Sequence, residues 1–190
     1  MTAGLILAAG GGTRFGAEPK LLADLHGRPV LEWAVRAQCA VAELDPVVVV
    51  LGAHAEAVRA RVQFGRARTV VCEEWKSGQS ASLRCGLAAL TDAEKIVVTL
   101  GDEPLITPEV VALLAAAPAP SRALYDGRPG HPVVLGRQQR AALMDVQGDR
   151  GARDLLRDAA VVEAGHLCSG ADVDTPDDLE EVRDEARAVV

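Results

Sequence analysis

Aromatic residues are scarce in this chain: two Trp, two Phe and one Tyr in 190 residues, or 3%. The core must therefore be aliphatic, and an apolar content of 49%, carried by Ala, Val and Leu, is enough to build one. No apolar run approaches the roughly 20 residues of a membrane-spanning helix, so no membrane partner is expected. The N-terminus has no basic segment ahead of its apolar residues and no signal-type cleavage site, which makes the cytoplasm the expected location. Paired cysteines are lacking too. Cys39, Cys72, Cys85 and Cys168 are scattered without a C-x-x-C pair, which argues against a zinc ribbon or a disulfide framework. Cys39 and Cys72 stand in apolar contexts and read as small buried hydrophobes. The four histidines are equally dispersed, so no His-based metal cluster is visible.

Positive charge is in short supply. Twenty Lys and Arg face 27 Asp and Glu, a net charge of −7, which disfavours nucleic-acid binding. An anionic substrate would have to be held locally, by a few cations, by backbone dipoles or by a divalent metal. Repeats and low-complexity linkers are also missing, so residues 1–190 are expected to form one domain.

What is present alternates between short β-branched runs and longer helical stretches. Residues 3–8, 46–51, 69–72, 95–100 and 133–135 read as strands. Helices are expected from about 29, over 54–63 and 80–90, from 108, over 137–146 and 151–158, and from Thr175-Pro176 to the end. Thr107-Pro108-Glu109 is a helix start, with Thr as N-cap, Pro at the first helical position and an acid at the positive dipole end. Residues 125–132 read as a polar Gly/Pro connection. The alternation predicts a three-layer α/β/α fold with a mostly parallel sheet.

The stretch richest in chemistry is Leu5-Ile6-Leu7-Ala8-Ala9-Gly10-Gly11-Gly12-Thr13-Arg14-Phe15-Gly16, followed by Pro19-Lys20. An apolar strand runs into a glycine-rich turn whose N–H groups can wrap an anion. Arg14 and Lys20 can neutralise the charge that N–H groups only polarise. The pattern is a polyphosphate cradle, but neither of two familiar ones. A Walker loop needs Lys where Ala17 stands, and the dinucleotide fingerprint needs Gly where Phe15 stands.

Further along, Gly101-Asp102-Glu103-Pro104 follows the strand ending at Leu100, at the carboxyl end where open α/β sheets bind ligands. Asp102 suits a hard cation such as Mg2+, although a turn Asp bonding its own backbone has the same appearance. Asp172-Val173-Asp174-Thr175-Pro176-Asp177-Asp178 adds a second acidic group. Its last four residues are helix-start chemistry, while Asp172 and Asp174, extended about Val173, would face one side and could complete a metal site. Gly78-Gln79-Ser80-Ala81-Ser82 opens a helix, and its hydroxyls could read a base or a ribose or simply cap the helix. Gly130-His131-Pro132 and Gly148-Asp149-Arg150-Gly151-Ala152-Arg153 could bind a second anionic substrate or be turn glycines with surface charge.

Taken in order, these segments resemble the nucleotidyltransferases of the molybdenum-cofactor (MobA-like) type over almost the full length. The resemblance implies a Rossmann-like fold of the nucleotide-diphospho-sugar transferase type. It also implies transfer of CMP from CTP to a molybdopterin-type cofactor with release of pyrophosphate, and a molybdoenzyme or its maturation chaperone as protein partner. Leu7, Ala8, Ala9 and Gly10 would approach the nucleotide, with Ala9 favouring CTP over GTP because guanylyl-transferring relatives more often carry Gly there. Gly11, Gly12, Arg14 and Lys20 match triphosphate-binding positions, with Arg14 and Lys20 as the catalytic cations, and Ser82 matches a nucleoside contact. Asp102 matches the metal-binding aspartate, and Asp174 is taken as the second Mg2+ ligand with Asp172 its competitor. Glu103 departs from the pattern, since relatives commonly carry an uncharged Gln or Met there, and Glu74 stands where many carry Asn. The alternatives are a GTP- or sugar-phosphate-using enzyme of the same fold and a non-catalytic carrier of the cofactor.

Overall fold

The computed structural model describes residues 1–16, 18–145 and 156–188. Its frame is a seven-stranded sheet built from β1 (Thr2–Ala8), β4 (Leu44–Leu51), β5 (Arg68–Val71), β6 (Lys95–Leu100), β7 (Ser121–Tyr125), β8 (Arg128–Gly136) and β9 (Ala160–Glu163). The order is β5-β4-β1-β6-β8-β7-β9. Parallel pairing joins β5, β4, β1 and β6, and also β7 and β9, while β8 pairs antiparallel with both β6 and β7. The mostly parallel sheet expected from the alternating pattern is therefore present. A small ribbon, β2 (Asp24–Leu25) and β3 (Arg28–Pro29), lies apart from it.

The central strands are buried on both faces, which is why they read as unbroken apolar runs. Along β1, Ile6 and Ala8 face α1 (Val30–Ala40), α2 (Ala55–Arg61) and α4 (Pro108–Ala116), packing with Leu31, Val58 and Val110. Leu5 and Leu7 face the other layer, where α3 (Gln79–Ala88) contributes Leu87 and α5 (Arg137–Asp145) contributes Leu143. Three layers result. The last helix, α6 (Pro176–Ala188), lays Leu179 and Val182 against Leu25, Val30 and Val173. Among the described residues no helix is long and apolar enough to cross a membrane.

Two close approaches lock helices to the sheet. Gln38 of α1 is fully buried and donates to Leu5 O (3.2 Å), Val97 O (3.3 Å) and Thr99 Oγ1 (2.9 Å), so one side chain ties the helix to β1 and β6. On the opposite face, a Cβ at Gly86 of α3 would sit 2.4 Å from Leu5 Cδ1 and 2.8 Å from Val50 Cγ2. Glycine at this position lets α3 rest directly on β1 and β4.

The structure corrects the second half of the sequence reading. Residues 121–125 form a strand, and 128–132, expected as connection, belong to β8. The turn between them is Asp126-Gly127, both at positive φ (48° and 78°), the signature of a two-residue hairpin. Pro129, Gly130 and Pro132 disguised the strand. They are tolerated because β8 meets β6 only from Val133 onward, so its first half pairs with β7 alone. β9 was also missed: it is a four-residue strand whose side chains are mostly exposed. The helix expected over 151–158 and the Gly148–Arg153 motif lie outside the described residues, apart from a turn at 156–158.

Candidate functional site

The glycine-rich loop leaves β1 at the carboxyl edge of the sheet. Its first residue is anchored by Ala53 N donating to Ala9 O (3.1 Å), a contact possible because Gly52 has no Cβ to strike that oxygen. Gly12 adopts φ +58°, and Phe15 N closes a turn onto Gly12 O (3.0 Å). A side chain at Gly12 would press on Lys20, whereas Gly10 faces open space. The loop thus folds around Lys20 and leaves its main chain at Gly10 accessible.

Lys20 is where the chain comes together. Only 11% of its side chain is exposed, and its Nζ donates to Asp102 Oδ2 (2.5 Å) and Asp174 Oδ1 (2.7 Å). Arg14 Nη2 lies 2.6 Å from Asp174 Oδ2, with the Arg14 side chain 73% exposed. Burial works against the charged ammonium of Lys20, but the two carboxylates outweigh it and hold its pKa above the ordinary lysine value. Asp102 is positioned by Gly101 N bonding Leu7 O (2.9 Å) at the end of β6. Asp174 is brought alongside by Val173 N donating to Asp102 O (2.8 Å). A capping box then fixes the backbone of Asp174: Asp178 Oδ2 accepts from Asp174 N (3.0 Å) and Thr175 N (2.7 Å), and Asp178 N donates to Thr175 Oγ1 (3.2 Å).

Leu7, Ala8, Gly10, Gly12, Arg14 and Lys20, with Asp102 and Asp174, line a cleft of ≈ 180 Å³. A second pocket of ≈ 340 Å³ shares Leu7, Gly10 and Asp102 with it and adds Ala9, Gly11 and Ser82. Leu7, Ala8, Ala9, Gly10, Gly11, Gly12, Arg14, Lys20, Ser82, Asp102 and Asp174 therefore each line one of two adjoining spaces. Trp75, Lys76 and Gln79 also line the second pocket and were not singled out for a role. Gln79 could have been found, since it stands in the same helix start as Ser82. Asp172 does not join Asp174: it lines a third cavity of ≈ 430 Å³ together with Glu103 and His131. The expectation that the two aspartates face one side is not met: Asp174 lines the cleft with Asp102, and Asp172 lines the third cavity.

Among the described residues no group of three His, Cys, Asp or Glu side chains is placed to hold a metal. Two converging carboxylates remain, Asp102 and Asp174, already gathered around one cation. That donor set fits a hard divalent ion that takes one or two carboxylates and completes its shell with phosphate oxygens and water.

Glu103 and His131 form a second polar pair, with His131 Nδ1 3.1 Å from Glu103 Oε1. Burial pushes the Glu103 carboxyl above its ordinary value, against the pull of His131. Burial also disfavours charged His131, yet the Glu103 carboxylate prevails and raises the imidazole above its ordinary value.

Comparison with known proteins places these features in a family. The sequence family described as the MobA-like NTP transferase domain matches residues 4–164. The chain is 36% identical to nicotine blue oxidoreductase of Paenarthrobacter nicotinovorans over 191 aligned residues, covering 93% of each chain. A crystal structure of Rv0371c from Mycobacterium tuberculosis H37Rv in complex with manganese superposes with a TM-score of 0.75 at 30% identity, covering 96% of this chain and 98% of the other. A nucleotidyl transferase from Methanothermobacter thermautotroptrophicus superposes with a TM-score of 0.84 at 24% identity over 100% and 99% of the chains, a likeness of fold.

Proposed function

The chain belongs to the MobA-like NTP transferase family, and from that membership we propose that it transfers CMP from CTP to a molybdopterin-type cofactor, with residues 1–190 acting as one domain. A terminal phosphate oxygen of the acceptor attacks the α-phosphorus of CTP, forming the new P–O bond. The bond to the bridging oxygen of the β-phosphate breaks, and pyrophosphate leaves with that electron pair. The nucleophile is already anionic near neutral pH, so positioning and charge stabilisation suffice and no general base is needed.

The observation that carries this reading is the convergence of Lys20, Asp102 and Asp174 at the mouth of the glycine-rich loop. Main-chain N–H groups at Gly10, Gly11 and Gly12 bind the triphosphate, with Leu7 and Ala8 behind them. Arg14, whose side chain is largely exposed, stabilises the leaving pyrophosphate, and Lys20 holds the α-phosphate as charge develops. Ala9 and Ser82 face the nucleoside in the adjoining pocket. Asp102 and Asp174 would hold Mg2+, which when bound neutralises phosphate charge. The oxygen-only donor pair and the manganese complex of the 30%-identical relative support a divalent cation there. A cytoplasmic location and hand-over to a molybdoenzyme or its chaperone belong to the same proposal.

The test is pyrophosphate release from each nucleoside triphosphate with Mg2+ and molybdenum cofactor. Release with CTP is expected. Preferential release with GTP would move the protein to the guanylyl-transferring branch, and cofactor binding without release would make it a carrier. A second reading, oxidoreductase, is favoured by the match to nicotine blue oxidoreductase over 93% of both chains. Oxidation of a reduced nicotinamide dinucleotide by nicotine blue in the presence of this protein would establish it. A Lys–Asp–Asp cluster has no evident task in hydride transfer, so nucleotidyl transfer is preferred.

A further inference from the structure

The ≈ 430 Å³ cavity adjoins the nucleoside pocket, with which it shares Leu7, Gln79 and Leu100. Its floor is aliphatic, formed by Leu83, Val98, Leu100 and Val133, and Gln79, Arg122 and Asp172 stand among its polar lining. An apolar floor with a few convergent polar groups, in a space of this volume, suits a flat heterocycle.

Glu103 is the anomaly in this wall. Its side chain is 7% exposed, and while Oε1 meets His131, the buried Oε2 has no hydrogen-bond partner. A main-chain hydrogen bond from Leu100 also reaches the carboxylate but is the least of the influences on it. Tyr125 Oη donates to His131 O (2.5 Å) and fixes the main chain from which the imidazole reaches Oε1. A buried carboxylate oxygen without a donor is costly and marks a place where a donor is expected to arrive. The terminal torsion of Glu is soft, so either oxygen can turn to the cavity face. The family resemblance does not explain a charge here, since an uncharged side chain is common at this position.

We propose that Glu103 reads the acceptor substrate, its carboxylate accepting hydrogen bonds from adjacent N–H donors on the edge of a flat nitrogen heterocycle seated on the aliphatic floor. The proposal rests on the nucleotidyl-transfer reading in one respect, that this cavity holds the acceptor. A carboxylate only accepts hydrogen bonds. An amino group beside a ring N–H satisfies it, and a ring carbonyl at the same place meets it lone pair to lone pair. His131 is the positioning partner, bonded to one oxygen of the carboxylate.

Fluorescence titration of the full chain without nucleotide tests this, using free pterin, which carries an amino group beside a ring N–H, and lumazine, in which oxygen replaces that amino group. Wild-type protein is expected to bind pterin about tenfold or more tighter than lumazine, the scale of a lost charge-assisted hydrogen bond. Glu103→Gln, of the same shape, should erase most of that preference and leave CTP affinity unchanged. Equal affinity of the wild type for the two compounds, no binding of either, or a preference that survives Glu103→Gln overturns the proposal. The wild-type comparison decides the matter even if the variant folds poorly. Absence of pyrophosphate release with the pterin preference intact would count against nucleotidyl transfer and still support Glu103 as the reading group.

Discussion

Lys20 Nζ lies 2.5 Å from Asp102 Oδ2, joining residues 82 positions apart in the chain. The ammonium also holds Asp174, whose other oxygen meets Arg14, so two cations balance the two carboxylates. On the nucleotidyl-transfer reading proposed above, a triphosphate would draw Lys20 and Arg14 away and free the carboxylates for a divalent ion. Cation exchange of this kind would make Lys20 both a phosphate ligand and the keeper of the acidic pair.

Replacing Lys20 with Ala is expected to lower turnover by ~100-fold or more, the scale for losing a preorganised charge stabiliser. Pyrophosphate release at saturating CTP measures it. Turnover equal to wild type would remove Lys20 from the chemistry. Without nucleotide, the same variant should bind Mn2+ more tightly than wild type, because Asp102 and Asp174 no longer share the Lys20 ammonium; paramagnetic resonance of free Mn2+ reports this directly.

Asp174→Asn and Asp102→Asn should each shift the Mg2+ dependence of activity to higher concentration, by about tenfold or more for loss of a charged ligand. Asp172→Asn should leave that dependence where it is, since Asp172 lines a different cavity. A shift with Asp172→Asn and none with Asp174→Asn would reverse the assignment of the second ligand.

Gly86→Ala forces a methyl group onto Leu5 and Val50 at 2.4 and 2.8 Å. Overpacking of this kind costs about 1–3 kcal/mol, and here it would lift α3 away from the sheet. A lower urea midpoint with an unchanged slope is expected, together with weaker nucleotide binding because Ser82 rides on the same helix.

Asp178→Ala removes the capping box beside Asp174. The hydrogen bond from Thr175 and those from the main chain of Asp174 and Thr175 hold the Asp178 pKa below the ordinary 3.8. A lowered folded-state value means stability that is fully present above 3.8 and lost as pH falls through the lowered value. Wild type should therefore unfold at a higher temperature than the variant at neutral pH, and the gap should close in strong acid. A gap independent of pH would show that the cap acts without its charge.

The order of β1, β4, β5 and β6 and of the helices between them was legible because each of these elements has one dominant signal, whereas the short β2–β3 ribbon went unread. β1, β4 and β6 are covered on both faces and read as apolar runs, and α4 and α6 announce themselves with Thr-Pro starts. The β7–β8 hairpin was not legible, because its prolines and glycine mimic a loop and are permitted only by a pairing partner that the local sequence does not display. The Asp-Gly turn was the signal available. Gln79 likewise went unassigned although Ser82, in the same helix start, was noticed.

By itself the sequence determined the glycine-rich turn, the scarcity of cations and the layered α/β order, because these follow from local conformational preference, composition and hydrophobic period. Only the tertiary structure decided which charges meet. Asp102 and Asp174 converge on Lys20 because a main-chain bond from Val173 to Asp102 sets two distant loops side by side. Asp172, two residues from Asp174, lines another cavity. Such contacts depend on the register of the sheet and the path of the chain over its edge, and spacing along the sequence carries no record of either.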